Sequence, residues 1–317
     1  MIATHTFNPS VDITYMIDPI RIDTVNRVHE KIKNPGGKGI NVTKVLHQLG
    51  ATYCAYGYLG GPNGQWLAQT LQQRGVITAF TTIENETRQS LAINDEATQT
   101  EILEAGPYIK EQEQQHYFQT LKTRLDEATV VTINGSSPQF EGRTQFEGRT
   151  QFEHMAHILT EYQRSYHIVD TNAKELKAVL DADLLIQCIK PNREEFERLV
   201  GQTDLSVAEQ LHLLQTHPYF KAREVFLTLG SEGAIVKWGQ EVYRATVPHR
   251  DVINPVGSGD ATVAGIAYGV EQQLEPQSLI QLALACGTSN ALQQATGQID
   301  VTQVNRIKSE IEVERYK

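Results

Sequence analysis

The stretch Asn34-Pro35-Gly36-Gly37-Lys38-Gly39-Ile40-Asn41 decides the fold, because it joins a strand-like pattern to a helical one. Apolar residues recur at helical spacing over residues 38–49, and Gly50 supplies the glycine at which helices commonly end. A buried strand pattern follows at residues 52–59. Strand, glycine turn, helix, glycine and strand in this order are typical of a parallel α/β sheet.

The same alternation extends on both sides of this stretch. It predicts strands at residues 2–7, 129–133, 166–169 and 225–229, a hairpin of 234–238 with 241–245, and helices at 63–74, 261–272 and 276–293. We therefore expect an α/β fold with a mostly parallel central sheet.

Four strand patterns interrupt this alternation, at residues 11–16, 25–32, 89–94 and 99–103. They come from two separate parts of the chain, so we predict a small accessory sheet assembled from both. A sheet of this kind over a cleft would act as a lid that closes on a ligand. The chain is accordingly predicted to be one domain over residues 1–317, with lid segments at about 10–34 and 87–106 and an α/β core in the remainder.

Composition disfavours several classes of function. The 317 residues are 40% hydrophobic and 21% charged, which is enough apolar material for a substantial core. The formal net charge of −10 argues against nucleic acid and anionic membrane surfaces as partners. Three widely spaced cysteines, no signal-peptide pattern and no apolar run of the roughly 20 residues that span a bilayer predict a cytoplasmic protein.

One segment does not fit the α/β pattern. The hexad Gln-Phe-Glu-Gly-Arg-Thr occupies residues 139–144, is repeated at once in 145–150, and begins a third copy at 151–153. Two copies of so short a unit cannot build a repeat fold. We interpret the segment as a tandem duplication in a surface loop, before a helix that starts near His154.

The sharpest chemical signal is Asn254-Pro255-Val256-Gly257-Ser258-Gly259-Asp260 at the start of a predicted helix. Gly257, Ser258 and Gly259 can direct several backbone N–H groups toward an anion, and the helix dipole adds to the attraction. Asp260 could accept a proton from an attacking hydroxyl while those amides stabilise a transferring phosphoryl group. An ordinary glycine turn, with Asp260 as a first-turn helix residue, would leave the same pattern.

The opening glycine stretch is a second candidate site. Gly37 would let a ligand approach the backbone, Lys38 would supply positive charge, and Asn41, one turn later, could bind a sugar hydroxyl. It is neither a Walker A loop nor the dinucleotide fingerprint, because G-x-x-x-x-G-K-[ST] is absent and G-x-G-x-x-G does not follow the first strand. A tight turn with a solvated lysine is the alternative interpretation.

Two further motifs carry weaker signals. Asn192 and Glu195 share a face at a predicted helix start, where they suit a hydrated Mg²⁺, although an N-cap with its capping partner has the same spacing. Thr228, Gly230 and Gly233 follow a strand and could admit a nucleotide. An ordinary hairpin turn would also explain these three residues.

Two isolated charges complete the candidates. Asp12 follows the first strand and could bind sugar hydroxyls, and Arg88 at the start of the accessory hairpin could clamp a phosphate. Each residue taken alone would also be an ordinary surface charge. The ten histidines form no H-E-x-x-H pattern and no G-x-S-x-G elbow is present, which argues against a zinc enzyme and a serine hydrolase.

Together these motifs resemble those of the PfkB, or ribokinase-like, carbohydrate kinases over essentially the whole chain. Residues 254–260 resemble the C-terminal family signature, and Gly36-Gly37-Lys38-Gly39 with Asn41 resembles the N-terminal one. The resemblance implies a ribokinase-like three-layer α/β/α core with a small β-sheet lid. The opening Asn8-Pro9 and residues 254–260 are most similar to the branch that phosphorylates sugar phosphates, the tagatose-6-phosphate kinases and 1-phosphofructokinases, and the stretch 100–107 resembles the tagatose-6-phosphate kinases more closely.

The resemblance also implies a role for each candidate residue. Asp260 would be the catalytic base, beside an anion hole formed by Gly257, Ser258 and Gly259. The sugar phosphate would be held by Asp12, Arg27, Gly37, Lys38, Asn41 and Arg88, the ATP by Thr228, Gly230, Gly233 and Asn290, and Mg²⁺ with its waters by Asn192 and Glu195. The family further implies a homodimer that pairs through the lid sheet.

The leading hypothesis is ATP-dependent phosphorylation of tagatose 6-phosphate to tagatose 1,6-bisphosphate. Fructose 1-phosphate is the alternative acceptor, because the candidate ketohexose phosphates differ only in phosphate position or in one hydroxyl configuration. A sugar-phosphate-binding protein that has lost catalysis is a remote alternative, against which the intact Asp260 and its glycine turn argue. A dehydrogenase is more distant still, because the dinucleotide fingerprint is missing.

Overall fold

The computed structural model describes residues 1–95, 98–140, 150–162, 164–221 and 223–316. Its strands are β1 (Ile2–Thr6), β2 (Ser10–Ile17), β3 (Val28–Gly36), β4 (Tyr53–Gly60), β5 (Thr81–Ile83), β6 (Arg88–Asn94), β7 (Gln99–Leu103), β8 (Tyr108–Ile109), β9 (Val130–Gly135), β10 (Gln139–Phe140), β11 (Tyr166–Thr171), β12 (Cys188–Ile189), β13 (Glu224–Thr228), β14 (Ala234–Trp238), β15 (Glu241–Thr246) and β16 (Glu312–Tyr316). Its helices are α1 (Lys38–Gln48), α2 (Gly61–Gln73), α3 (Glu111–Leu125), α4 (Gln151–Glu161), α5 (Ala173–Asp181), α6 (Arg193–Val200), α7 (Val207–Thr216), α8 (Ser258–Glu271), α9 (Pro276–Ala291) and α10 (Val301–Glu310). None of the helices in this described part is long and apolar enough to cross a membrane.

The central sheet has ten strands in the order β16-β15-β14-β13-β12-β11-β9-β1-β4-β5. The strands from β13 to β5 in that order pair in parallel, and β14, β15 and β16 extend one edge with antiparallel pairing. The predicted α/β fold with a mostly parallel sheet is confirmed. The predicted hairpin near this edge is β14 with β15.

Successive residues of the central strands face opposite layers of helices. Ile2 of β1 packs in the cluster formed with α1, α2, α8, α9 and α10, whereas Ala3 packs in the cluster formed with α3 to α7. Val130 and Val131 of β9 divide in the same way. Both faces of the sheet are therefore covered, which gives the three-layer α/β/α arrangement and explains why apolar residues of these strands point to both sides.

A separate four-stranded sheet, in the order β3-β2-β6-β7, confirms the predicted accessory sheet. β2 pairs antiparallel with β3 and parallel with β6, so two distant segments meet at its centre. The predicted strand at 25–32 was wrong at its start, because β3 begins at Val28. The Asn26 side chain accepts from N of Arg21 and donates to its O, so a local loop replaces strand pairing there. The division into lid and core stays a prediction.

The duplicated hexad lies largely outside the described residues, which omit 141–149. Its third, partial copy is described, and α4 starts there at Gln151 rather than near His154. Thr150 and Glu153 form a capping box at this helix start, and Phe152 is fully buried. The surface-loop interpretation is therefore wrong for residues 151–153, whose side chains belong to the core and to the helix cap.

Candidate active site

Three polar residues lie at or just after the carboxyl ends of neighbouring parallel strands of the central sheet. Asp170 lies near the end of β11, Lys190 directly follows β12, and Thr228 ends β13. In open α/β sheets ligands bind outside this edge, where strand ends and helix N-termini converge. The N-termini of α1 and α8, which carry the two glycine turns, complete the site.

Asp260 lies in the first turn of α8 and is buried, with 6% of its surface exposed. Nδ2 of Asn41, on α1, donates a hydrogen bond of 2.8 Å to Oδ2 of Asp260. Within the part of the chain that the structure describes, Oδ1 of Asp260 has no hydrogen-bond partner. Burial raises the pKa of this carboxyl to about 6, against the opposing charge of Lys38. One oxygen is thus held in place, while the other stays available to accept a proton near neutral pH.

The glycine turn before α8 has a backbone that favours glycine. Gly257, the N-cap of α8, has φ = 83°, in the left-handed region. Asn290 of α9 supports this turn, because its Nδ2 donates to O of Val256 at 3.0 Å and to Oγ of Ser258 at 3.4 Å. Its Oδ1 accepts from N of Gly297 at 2.9 Å. The structure thus places Asn290 beneath the turn with both polar atoms engaged, and its position near adenine stays a prediction.

The first glycine turn is shaped by close approach of the backbone to a carboxylate. Gly37, the N-cap of α1, has φ = 108°. A Cβ built on the preceding Gly36 would overlap the carboxylate of Asp12. Only glycine therefore allows Asp12 to lie against this turn. The same turn starts the helix on which Lys38 and Asn41 face the site.

A buried carboxylate that the sequence analysis did not identify joins two lysines of the site. Oδ1 of Asp170 lies 3.3 Å from Nζ of Lys38 and 3.3 Å from Nζ of Lys190. Burial would raise the pKa of Asp170, but the two lysines outweigh burial and lower it. Its Oδ2 is buried without a hydrogen-bond partner among the described residues. The signal in the sequence was a charged residue at the end of a buried strand, where an unpaired charge would be costly.

Lys190 is the second functional group that the sequence analysis missed. Its side chain is only 4% exposed. A Cβ built on Gly259 would lie 3.2 Å from its Nζ, so the ammonium group lies against the glycine turn. Lys38 lies on the other side of Asp170. Burial disfavours its charged form, but nearby carboxylates, of which Asp170 has the largest effect, raise the pKa of Lys38 above its ordinary value. Positive charge therefore faces the turn that would bind the transferring phosphoryl group.

Asp12 and Arg88 meet on the accessory sheet. β2 pairs with β6 so that Ser10 lies opposite Arg88, and Oγ of Ser10 donates to Oδ1 of Asp12 at 2.6 Å. The guanidinium of Arg88 donates to O of Glu104 at 3.3 Å and to O of Asn8 at 3.4 Å. Its Nε is buried and has no hydrogen-bond partner in the described part of the chain. Buried donors normally have partners, so this nitrogen suits a ligand that supplies an acceptor.

Other candidates lie apart from this group. Arg27 lies in the exposed loop before β3, and no hydrogen bond or ion pair joins it to another described residue. Thr228 is bridged to Asn192 across the sheet edge, which brings the nucleotide and metal candidates together. Gly230 and Gly233 have φ of 63° and 90°, and both conformations favour glycine. The roles of these residues in binding stay predictions.

Asn192 and Glu195 form a capping box at the start of α6. Oδ1 of Asn192 accepts from N of Glu195 at 2.8 Å, and Oε2 of Glu195 accepts from N of Asn192 at 2.9 Å. The charge of Glu195 also contributes to raising the pKa of Lys38, so it is close enough to act on the site. Among the residues described, no group of three or more His, Cys, Asp or Glu side chains could hold a metal ion. A cation here would need water or substrate oxygens as additional ligands.

Comparison with known protein families identifies the class of enzyme. Residues 5–302 match the family described as pfkB family carbohydrate kinase. The chain belongs to the pfkB family of carbohydrate kinases. It is therefore a phosphotransferase, and sugar kinases of this family use ATP. The resemblance found in the two glycine motifs is confirmed by this match.

Similarity to known pfkB proteins extends over the whole chain. A tagatose-6-phosphate kinase of Staphylococcus epidermidis is 38% identical over 314 residues, which cover 99% of both proteins. A solved Thermotoga maritima structure, described as a possible 1-phosphofructokinase, matches with a TM-score of 0.86 at 22% identity over 100% of both chains. Phosphofructokinase-2 of Escherichia coli matches with a TM-score of 0.85 at 23% identity over 98% of both chains. These two structures confirm the predicted ribokinase-like fold.

Proposed function

We propose that this kinase phosphorylates tagatose 6-phosphate with ATP to give tagatose 1,6-bisphosphate. One observation carries the proposal: the buried carboxylate of Asp260 lies at the helix N-terminus that bears the glycine turn, beside Lys38 and Lys190. A proton acceptor next to a cationic phosphate site suits transfer to a hydroxyl group. The full-length similarity to a curated tagatose-6-phosphate kinase supports this choice of acceptor.

In the proposed reaction the acceptor hydroxyl lies beside Oδ1 of Asp260. Its oxygen attacks the γ-phosphorus of ATP, a new P–O bond forms, and the bond to the β-phosphate oxygen breaks as ADP leaves. Asp260 takes the proton of the hydroxyl. Backbone N–H groups of residues 257–259, with Lys38 and Lys190, stabilise the charge on the transferring group. Positioning and electrostatics supply most of the rate enhancement in such reactions.

We assign the two substrates to opposite sides of Asp260. The sugar phosphate is held by Asp12, Arg27, Gly37, Lys38, Asn41 and Arg88, and the unpartnered Nε of Arg88 supports a phosphate contact. ATP is held along the loop after β13, by Thr228, Gly230 and Gly233, with Asn290 near the adenine. The glycine conformations of this loop let a nucleotide approach its backbone.

The chemistry of Asn192 and Glu195 fits Mg²⁺. An amide oxygen and a carboxylate are hard oxygen ligands, and both keep acceptor capacity beyond their capping bonds. With few protein ligands at hand, these residues would hold the ion through its waters, as Mg²⁺ usually allows. When bound, the ion would neutralise charge on the β- and γ-phosphate oxygens.

We further propose a cytoplasmic homodimer that forms through the accessory sheet. Ile32 of β3 and Leu103 of β7 are 39% and 60% exposed, and the strand register places them on one face. Exposed apolar side chains on one sheet face favour a partner surface. Light scattering should show a dimer for wild type and a monomer for the double variant Ile32→Asp/Leu103→Asp. Ile77 is also exposed but lies outside the accessory sheet, so the matched control Ile77→Asp should stay dimeric.

The test of the reaction is ATP consumption by purified protein with Mg²⁺, with tagatose 6-phosphate and fructose 1-phosphate offered separately. We expect the higher kcat/KM with tagatose 6-phosphate. A preference for fructose 1-phosphate would identify a 1-phosphofructokinase instead. No turnover with either sugar, in folded protein that binds ATP, would contradict the proposed activity.

A further inference from the structure

A buried lysine without a part in the proposed chemistry lies between the two glycine turns. Lys44, one helical turn after Asn41 on α1, is 7% exposed. Its Nζ donates to O of Pro35 at 3.1 Å and to O of Thr296 at 2.8 Å. Pro35 directly precedes the first glycine turn, and Thr296 belongs to the loop between α9 and α10. One ammonium group thus joins two backbone segments that are distant in sequence.

The loop at Thr296 lies against the second glycine turn. A Cβ built on Gly257 would lie 3.3 Å from Cβ of Thr296 and 3.4 Å from N of Gly297. Asn290 completes the connection, because its side chain accepts from N of Gly297 and donates to O of Val256. A displacement of residues 296–297 would therefore displace the turn that forms the anion hole.

The same loop lies against α1 on its other side. Gly297 has φ = 64°, and a Cβ built on it would lie 2.5 Å from Cε of Lys44 and 3.0 Å from Cα of Asn41. No side chain fits between the loop and the helix, so the two are in direct contact. Asn41 in turn orients Asp260. Lys44 therefore lies where the glycine turn at 35–37, Asp260 and the glycine turn at 257–259 are held together.

We propose that Lys44 is a positioning residue that keeps the glycine turn at 35–37 in register with the anion hole at 257–259. Hydrogen bonds from a charged donor are shorter and stronger than neutral ones, so a buried ammonium between two carbonyl groups is a firm link. Phosphoryl transfer needs the acceptor oxygen and the γ-phosphorus in near-attack geometry. The inference rests on the kinase activity, but not on which sugar phosphate is the acceptor.

The charge of Lys44 depends on groups from several elements. Burial lowers the pKa of its ammonium to about 8. Asp12 on β2 and Asp260 on α8 favour the charged form, and Arg74 after α2 opposes it. His47 and Arg74 line, with Lys44, an open cavity of about 250 Å³. Above about pH 8 the amine loses its charge and the link weakens, so kcat of the wild type should decline there.

The first experiment compares Lys44→Met with the matched control Lys237→Met. Lys237 is also a buried lysine whose Nζ donates to backbone carbonyls, at 2.9 Å to Lys221 and 3.4 Å to Arg223. Its partners precede β13, at the end of the sheet opposite the site. Lys44→Met should lower kcat about 10²-fold, the effect of a misplacement of about 1 Å, with a smaller change in KM for ATP. Lys237→Met should lower the melting temperature and keep kcat.

Lys44→Arg provides the second readout, which also serves if Lys44→Met fails to fold. Arginine keeps the positive charge and does not titrate in this range. It should restore much of kcat and abolish the decline near pH 8. Persistence of that decline in Lys44→Arg, or a Lys44→Met enzyme with wild-type kcat, would overturn the proposal. All assays use the sugar phosphate that the wild type turns over. An error in the proposed acceptor would therefore appear in the wild-type assay, before any variant is compared.

Discussion

Asn41 and Asp260, which are 219 residues apart in sequence, are joined by a hydrogen bond of 2.8 Å between Nδ2 and Oδ2. The bond links the helices that follow the two glycine turns, α1 and α8. It holds one oxygen of the proposed base and leaves the other for the acceptor hydroxyl. Burial of the same carboxyl raises its pKa toward neutrality. The orientation of the proposed base therefore depends on a partner from a distant part of the chain.

Asp260→Asn should abolish turnover while leaving substrate binding largely intact. Loss of a general base costs about 10²–10⁴-fold in rate, and the new amide can still accept the bond from Asn41. Steady-state kcat, together with ATP binding by calorimetry, measures both effects. Asp300→Asn is the control, because Asp300 is the N-cap of α10 and Asn caps equally well. A kcat of Asp260→Asn near wild type would make the base assignment wrong.

The same variant should be more stable than wild type at neutral pH. The pKa of Asp260 in the folded protein, about 6, lies above its ordinary value of 3.8, so the folded state binds this proton more tightly than the unfolded chain. The stability contribution of this group therefore falls as pH rises from 3.8 to about 6 and stays low above that. The melting-temperature difference between variant and wild type should widen over this range. A constant difference would contradict the raised pKa.

Asp170→Asn should destabilise the fold far more than Asp181→Asn. Removal of one partner from a buried ion pair costs about 3–5 kcal/mol, because an uncompensated charge stays buried, and Asp170 faces two lysines. Asp181 pairs with Lys177 at the surface, where water screens the pair. Since the lysines lower the pKa of Asp170, its contribution is present above 3.8 and is lost as pH falls through the lower folded value. Denaturant unfolding at neutral pH measures the free energy of unfolding of both variants. Equal losses would contradict a stabilising role of Asp170.

Arg88→Lys should raise KM for the sugar phosphate by about tenfold or more, with little change in KM for ATP. A lysine cannot reproduce the two parallel bonds of a guanidinium, and a hydrogen bond to a charged group contributes about 1.5–3 kcal/mol. Arg124→Lys is the control, because Arg124 is exposed and pairs with Glu127 at 3.8 Å. Steady-state kinetics with each substrate varied in turn separates the outcomes. A parallel rise in both KM values would contradict a specific phosphate contact.

Local periodicity explains why most of the central sheet was predictable. The strands β1, β9, β11 and β13 each contain two or three consecutive apolar residues, and α1, α8 and α9 carry apolar residues at helical spacing. Short or polar strands were not predicted, because they carry no apolar pattern of their own. β12 has two residues, and β16 has the sequence Glu-Val-Glu-Arg-Tyr, which becomes a strand only because it pairs with β15.

Two glycine motifs were sufficient to determine the family and the proposed catalytic base from the sequence alone. Backbone turns of this kind need specific residues at specific spacing, so they can be recognised as short motifs in the sequence. Arg27 lies outside both motifs: only the family resemblance implied it, the structure describes it in an exposed loop, and its role in binding stays a prediction.

The sequence by itself determined the α/β fold and the family, and it singled out Asp260 as the proposed base, because periodicity and glycine turns are local properties of the chain. Only the tertiary structure decided that Asp170 lies between Lys38 and Lys190, and that Lys44 joins the two glycine turns. These relationships depend on which strand ends and loops become neighbours. Burial, which shifts the pKa values of the site, likewise exists only after the chain has folded.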